Sequence, residues 1–349
     1  MSPQKIGASA PAQVAGTHWL VADIGGTNAR FALIRPFTAH AVADSAILEH
    51  ARTLRVRDHA TLQAAIIDFL AGIPATALPR HAVLAVASAV ADDSIRFTNS
   101  QWSFSISALQ QALALDHLLV VNDFAAAARA VPILSPTDLQ RVGSCVDVDG
   151  GAPGLRVVLG PGTGLGLAAL QRDADGAVRI IETEGGHISF APRNADENFI
   201  LDYLRQRFGR VSYERVLGGE GWLNLYQAWS SRMQRSADCQ TPEQVSQAAL
   251  AGDDAALAAT RSMAGILGAF AGDAVLVYGA WQGVYLAGGL LAHLLNGETA
   301  EVFRESFVDK GRFSGMLKKT PVLHIVHPDL GNLGAAALAA DWLRRRAPS

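Results

Sequence analysis

Residues 20–33 read LVADIGGTNARFAL. An apolar run, a glycine turn and a second apolar run predict a β-hairpin over residues 19–34. Asp23 falls at the end of the first strand, and Gly25, Gly26, Thr27 and Asn28 form the turn. Glycines let backbone N–H groups come close to phosphate oxygens, and Thr27 and Asn28 add side-chain donors. The same residues are also what a plain hairpin turn requires. A second copy weighs toward phosphate: residues 155–170 repeat strand, glycine turn and strand around Gly160, Pro161, Gly162, Thr163 and Gly164. Two such loops from two halves can grip a polyphosphate from both sides. Neither is followed by Gly-Lys-Ser/Thr, so neither is a Walker loop.

Outward from these hairpins, residues 81–90 read as a strand and residues 118–122 as a short apolar strand. The alanine-rich residues 124–130 predict a helix with Asp123 as its N-cap, ended by Pro132 and Pro136. Residues 147–154 read as a loop, residues 198–208 and 245–270 as helices, and residues 284–287 as a buried strand met at once by Gly288 and Gly289. Beyond Pro321 a strand through Val326 leads to Gly331 and a last helix over 334–346, whose basic end suits the helix dipole. Alternating strands and helices predict an α/β protein of two halves, each opened by a glycine hairpin, with ligands in the cleft between them.

Composition narrows the partners. Of 349 residues half are hydrophobic, enough for a substantial core and two domains. A net charge of −3 with scattered Lys and Arg offers no basic stripe, which points away from nucleic acid and anionic membranes toward a small molecule. Cys145 and Cys239 are the only cysteines and lie far apart. That excludes a disulfide framework and a paired-cysteine zinc site, and it fits a reducing, cytoplasmic setting. Residues 1–17 lack the apolar segment of a signal peptide and are expected to be a disordered lead. Residues 274–295 carry no formal charge, but Gly279, Gln282, Gly283, Gly288, Gly289 and His293 favour a helix end, a strand and a turn over a membrane span.

Three groups of residues can do chemistry. Asn122 and Asp123 sit where a buried strand gives way to a helix, a place from which polar side chains project into a cleft, although an N-cap is the simpler role. Glu184-Gly185-Gly186-His187 and Glu214 bring two carboxylates and an imidazole. Such a set can bind a metal, or it can hydrogen-bond adjacent hydroxyls of a polyhydroxylated ligand. Without a cysteine pair or a His-x-x-x-His helix, the sugar reading is preferred. A plain surface loop is the remaining alternative.

With these residues in place, the chain resembles the bacterial glucokinases of the hexokinase, actin and heat-shock protein superfamily. The matching segments, in order, are residues 20–33, 97–99 (FTN), 120–126 (VVNDFAA), 159–167 (LGPGTGLGL), 184–192 (EGGHISFAP) and 213–217 (YERVL). They continue with residues 284–290 (VYLAGGL), 309–313 (DKGRF) and 331–335 (GNLGA). Each segment alone is weak; their order and spacing are specific.

The resemblance implies two ribonuclease-H-like (actin-like ATPase) domains around a central cleft. Residues 18–133 plus 328–349 would form the small α/β domain and residues 134–327 the large one. It implies ATP-dependent phosphorylation of glucose at the 6-hydroxyl, with Asp123 as general base and Asn99, Asn122, Glu184, His187 and Glu214 holding the other hydroxyls. Asp23 and the loops Gly25, Gly26, Thr27, Asn28 and Gly162, Thr163, Gly164 would handle the phosphates of ATP. Asp23 would hold Mg2+ through water, and Gly288 and Gly289 would lie against the nucleoside. A homodimer is also implied.

Two positions depart from the family pattern: Ala89 and Glu220 stand where prolines are common, which predicts less rigid loops near the cleft. The alternative is a non-catalytic sugar-sensing protein that retains the pocket, against which Asp123 and both phosphate loops weigh. The related repressor and kinase family carries an N-terminal DNA-binding domain or a cysteine-rich zinc motif, and neither fits 17 leading residues and two cysteines. An actin-like ATPase has no use for Glu184, His187 and Glu214.

Overall fold

The computed structural model describes residues 18–35, 48–97, 100–144 and 151–346. The expected disordered lead, the expected sugar ligand Asn99, Cys145 and part of the loop at 147–154 lie outside the described residues. The first glycine hairpin is β1 (Trp19–Ile24) and β2 (Asn28–Ile34), closed by a backbone bond of 2.9 Å from Gly25 N to Asn28 O. β3 (Leu48–Arg55), β4 (His81–Val86), a small ribbon of β5 (Ser94–Arg96) with β6 (Ser103–Ser105), and β7 (His117–Asn122) follow. β1 to β4 and β7 make a five-stranded sheet in the order β3-β2-β1-β4-β7. Its first two pairings are antiparallel and its last two parallel. The strand expected over 81–90 ends at Val86, where the chain turns away toward the cleft.

The second half repeats the plan. β8 (Leu139–Arg141), β9 (Gly154–Pro161), β10 (Leu165–Arg172), β11 (Val178–Thr183), β12 (Val284–Leu286) and β13 (Val322–Ile325) form a six-stranded sheet, β11-β10-β9-β12-β13-β8. Its first four pairings run antiparallel, antiparallel, parallel, parallel, as in the first sheet. The duplication expected from the two glycine hairpins is therefore present in the topology: both halves carry the ribonuclease-H-like sheet.

Twelve α-helices complete the described residues: α1 (Leu62–Ala71), α2 (Ile106–Ala112), α3 (Asp123–Ala130), α4 (Ala195–Phe208), α5 (Glu214–Leu217), α6 (Gly219–Arg232), α7 (Pro242–Leu250), α8 (Asp254–Tyr278), α9 (Leu291–Leu294), α10 (Gly297–Val308), α11 (Ser314–Lys319) and α12 (Leu330–Arg346). The single helix expected over 245–270 is two, because Asp253 leaves the helical conformation and accepts a 2.9 Å bond from Ala256 N to start α8. α8 is long and apolar enough to cross a membrane, yet 78% of its most apolar window is buried in the core of the second half. Left-handed Gly279 ends it at φ 64°. α12 begins at Leu330, four residues before the expected start, so Gly331 and Gly334 are helical.

Two helices tie the halves together. The small residues of α3 let it fit between the sheets: Ala127 and Ala128 pack with Val158, Ala168 and Leu170 of the second sheet, whereas Ala126 packs with Ala85 and Val121 of the first. α12 lies on β1 and β4, where Ala335, Ala336 and Ala339 meet Trp19, Val21 and Val83. Burying such apolar surface stabilises by roughly 25 cal/mol per Å².

Candidate active site

The edges of both sheets and the start of α3 enclose a cleft of about 630 Å³. From the first half come Asp23, Gly25, Gly26, Asn122 and Asp123. From the second come Gly162, Thr163, Gly164, Glu184, His187, Glu214 and Gly288. Twelve of the residues singled out from the sequence thus converge, from segments spread over most of the chain. Thr27, Asn28 and Gly289 do not line the cleft; Thr27 is exposed and its carbonyl accepts from Val56 N of the neighbouring strand end.

Asp123 is the first residue of α3. The N-cap is Asn122, not Asp123 as expected: its Oδ1 accepts from Phe124 N at 2.9 Å and Ala125 N at 3.3 Å. Asn122 takes the cap because its backbone is still extended, with φ −62° and ψ 145°, which leaves Asp123 already helical. The Asn122 amide also donates to Ser88 O at 3.3 Å, fastening α3 to the chain beyond β4. One oxygen of Asp123 accepts from Phe124 N at 2.9 Å. Burial raises the Asp123 pKa to about 7, helped by the negative charges of Asp23 and Glu184. A carboxylate tuned to neutrality in a cleft is what a general base requires.

Asp23 stands opposite Arg30 across the first hairpin, and Arg30 Nη1 donates to Asp23 Oδ2 at 3.1 Å. Burial raises its pKa while Arg30 opposes the shift. Gly331, in the first turn of α12, presses on this carboxylate: an added Cβ would lie 2.5 Å from Asp23 Cγ. Arg30 lines the cleft and was missed by motif reading, although the antiparallel register of a hairpin turning at Gly25 to Asn28 pairs it with Asp23.

Glu184, His187 and Glu214 form one cluster. His187 Nε2 is 3.8 Å from Glu184 Oε2, and its Nδ1 is 3.9 Å from Glu214 Oε1. A backbone bridge between Ser189 and Ser212, the 3.0 Å bond from Tyr213 N to Ile188 O, and Arg210 donating to His187 O at 2.5 Å hold the two segments side by side. Glu214 Oε2 accepts from Leu165 N at 3.0 Å, and a Cβ on Gly164 would come within 2.3 Å of the same oxygen. Gly162 O accepts from Gly219 N at 3.0 Å, so α6 steadies the loop. Among the described residues no set of three or more His, Cys, Asp and Glu side chains is placed to hold a metal.

The departures from the family pattern fall near this cleft: Ala89 lines it, and Glu220 lies in the first turn of α6, exposed, 3.7 Å from Arg215.

Solved structures share this architecture. The glucokinase of Balamuthia mandrillaris, solved in complex with glucose, matches with a TM-score of 0.75 at 19% identity, over 95% of this chain and 96% of its own. A ROK-family glucokinase from Streptomyces griseus, solved with glucose and AMPPNP, matches with a TM-score of 0.62 at 19% identity, over 92% and 98%. The fold is that of the actin-like ATPase sugar kinases. Sequence narrows it further. The Glucokinase family model matches residues 20–342. The glucokinase of Stenotrophomonas maltophilia strain K279a is 42% identical over 325 residues, 92% of this chain and 95% of its own. A glucokinase structure from an Antarctic psychrotroph is 34% identical with a TM-score of 0.77, over 93% of this chain and 99% of its own. The chain belongs to the glucokinase family.

Proposed function

We propose that the cleft transfers the γ-phosphoryl group of ATP to the 6-hydroxyl of glucose, with Asp123 taking the hydroxyl proton, to give glucose 6-phosphate and ADP. Family membership makes the chain a glucokinase, an enzyme that phosphorylates glucose. The observation that supports the residue roles is Asp123: a half-buried carboxylate at the start of α3, lining the cleft, with its pKa raised to about 7.

As the 6-oxygen bonds to the γ-phosphorus, the bond from that phosphorus to the bridging oxygen of ATP breaks, and the hydroxyl proton passes to Asp123. The transition state is loose, so positioning and charge neutralisation supply most of the acceleration. Glu184, His187 and Glu214 orient the sugar, and the remaining N–H of Asn122 can reach it. Asn99 keeps the sugar-binding role implied by the resemblance. The N–H groups of Gly25 and Gly162 close the two hairpin turns, which leaves the backbone N–H groups of Gly26 in the first loop and of Thr163 and Gly164 in the second for the phosphates, and Gly288 would meet the nucleoside.

A single carboxylate beside phosphate loops suits Mg2+, which keeps several waters and binds one or two protein carboxylates plus substrate phosphates. Asp23 would hold it, and the ion would neutralise phosphate charge. The domain division at 18–133 plus 328–349 and 134–327 is supported by the sheets, since β1 to β7 and α12 fall in the first part and β8 to β13 in the second. A cytoplasmic homodimer completes the proposal, on the cysteine usage and the family resemblance.

The test is a coupled assay of ADP release with Mg-ATP, with and without glucose. Glucose-dependent release with glucose 6-phosphate as product supports the proposal. A silent enzyme whose melting temperature still rises with glucose would make it a sugar sensor instead.

A further inference from the structure

Behind the cleft, between the C-terminal ends of α3 and α12 and the β10–β11 turn, lies a second cavity of about 600 Å³. Its charged lining is Arg129, Arg172, Arg344 and Arg345 against Asp175 and Asp341. Arg129 is 5% exposed and donates from Nε and Nη2 to Asp341 at 2.5 and 2.8 Å. Its Nη1 is buried with no hydrogen-bond partner. A buried guanidinium N–H left without an acceptor is costly, because the group gives up water for nothing. Arg344 also pairs with Asp341, and Arg345 Nε reaches only Asp341 O at 3.4 Å. The Asp341 carboxylate is therefore shared between Arg129 and Arg344, and the lining sets four arginines against two carboxylates.

We infer that this cavity is a binding site for a phosphate group, free or carried as a phosphomonoester on a small metabolite. Arginine forks match phosphate oxygens in pairs of parallel N–H bonds, and a tetrahedral dianion can satisfy several guanidinium groups at once. The walls come from the second sheet and from the two helices that tie the halves together: Arg172 ends β10, Arg129 sits in the last turn of α3, and Arg344 and Arg345 lie in the last turn of α12. Each of these elements also reaches the catalytic cleft at its other end, through Leu165, Asp123 and Leu330 respectively. A bound phosphate would bridge the two halves behind the cleft, and its binding should couple to that of glucose.

The experiment uses the full chain with the cleft saturated by glucose and a non-hydrolysable ATP analogue, titrated calorimetrically with inorganic phosphate and separately with glycerol 3-phosphate. The expected result is one further site, weakened about tenfold or more by Arg172→Gln or Arg345→Gln, as loss of a hydrogen bond to a charged group predicts. Binding of both probes assigns recognition to the phosphate alone, and binding of the ester only assigns it to a phosphomonoester; either supports the inference. No site beyond the saturated cleft, or a site indifferent to both substitutions, overturns it. In phosphate-free buffer both variants should keep wild-type turnover, showing that they fold. Added phosphate should then shift the glucose KM of wild type and not of Arg345→Gln. An unshifted wild-type KM would overturn the coupling between the sites.

Discussion

The two glycine hairpins share a backbone plan and differ in where their charge comes from. The first carries its own carboxylate, Asp23, in register with its own counterion Arg30. The second has no acid of its own. Glu214, 49 residues away from Leu165, supplies one and accepts that loop's N–H. Because Glu214 also stands 3.9 Å from His187, the second loop joins the groups assigned to phosphate with those assigned to sugar. On the proposed roles, the first loop would be a self-contained donor-side device, whereas the second would be shared between the two substrates. Damage to the first should read mainly in ATP, and damage to the second in both.

The sharpest way to break this contrast is Gly164→Ala. Its Cβ must displace the Glu214 carboxylate, and misplacement of about 1 Å can cost roughly 10²-fold, so kcat/KM should fall by about that factor for both substrates. Gly162→Ala meets nothing within 4 Å and leaves Glu214 in place, so its loss should be confined to the ATP KM. A Gly164→Ala enzyme with only its ATP KM raised would break the comparison.

Next in size are the carboxylates. Glu184→Ala should raise the glucose KM by about 10- to 100-fold with little change for ATP, as loss of a hydrogen bond to a charged group predicts. Glu214→Ala should raise the glucose KM as much and the ATP KM less, through the freed Leu165 N–H. Steady-state kinetics in both substrates separate the two. Arg30→Ala should do less: its ion pair is partly exposed, worth about 1 kcal/mol or less, so the ATP KM should rise at most about fivefold while glucose is untouched.

A smaller effect is on stability. A carboxyl pKa of about 7 in the folded chain, against the ordinary 3.8, means the folded state holds its proton more tightly. The stability this contributes is complete below the ordinary value and lost as pH rises toward 7. Asp123→Asn, which cannot ionise, should therefore melt a few degrees above wild type at pH 8, with the gap shrinking at pH 5. Thermal melts at the two pH values check the sign.

Much of the molecule was legible because hairpin chemistry is local. Both glycine hairpins, the apolar strand before Asp123 and the Glu184-to-His187 segment announce themselves within sixteen residues or fewer each. What was not legible depends on neighbours distant in sequence. The start of α12 at Leu330 was obscured by Gly331, which looks like a helix breaker until Asp23 is seen pressed against it. The N-cap went to Asn122 rather than Asp123, since both residues cap helices well and only the backbone angles decide. The meeting of Glu214 with the second loop, and the arginine pocket behind α3, join segments whose spacing carries no local signal.

The most direct test of the account is the pH–rate profile of Asp123→Asn beside wild type, with saturating Mg-ATP and varied glucose. General-base action is typically worth about 10² to 10⁴-fold, so the variant should lose that much in kcat while still binding glucose. Wild-type kcat/KM should rise with pH to a plateau above about 7, the value to which burial lifts Asp123, and the variant should lack this rise. A variant with near wild-type turnover, or one that keeps the same pH-dependent rise, would contradict the assignment of Asp123 as the base.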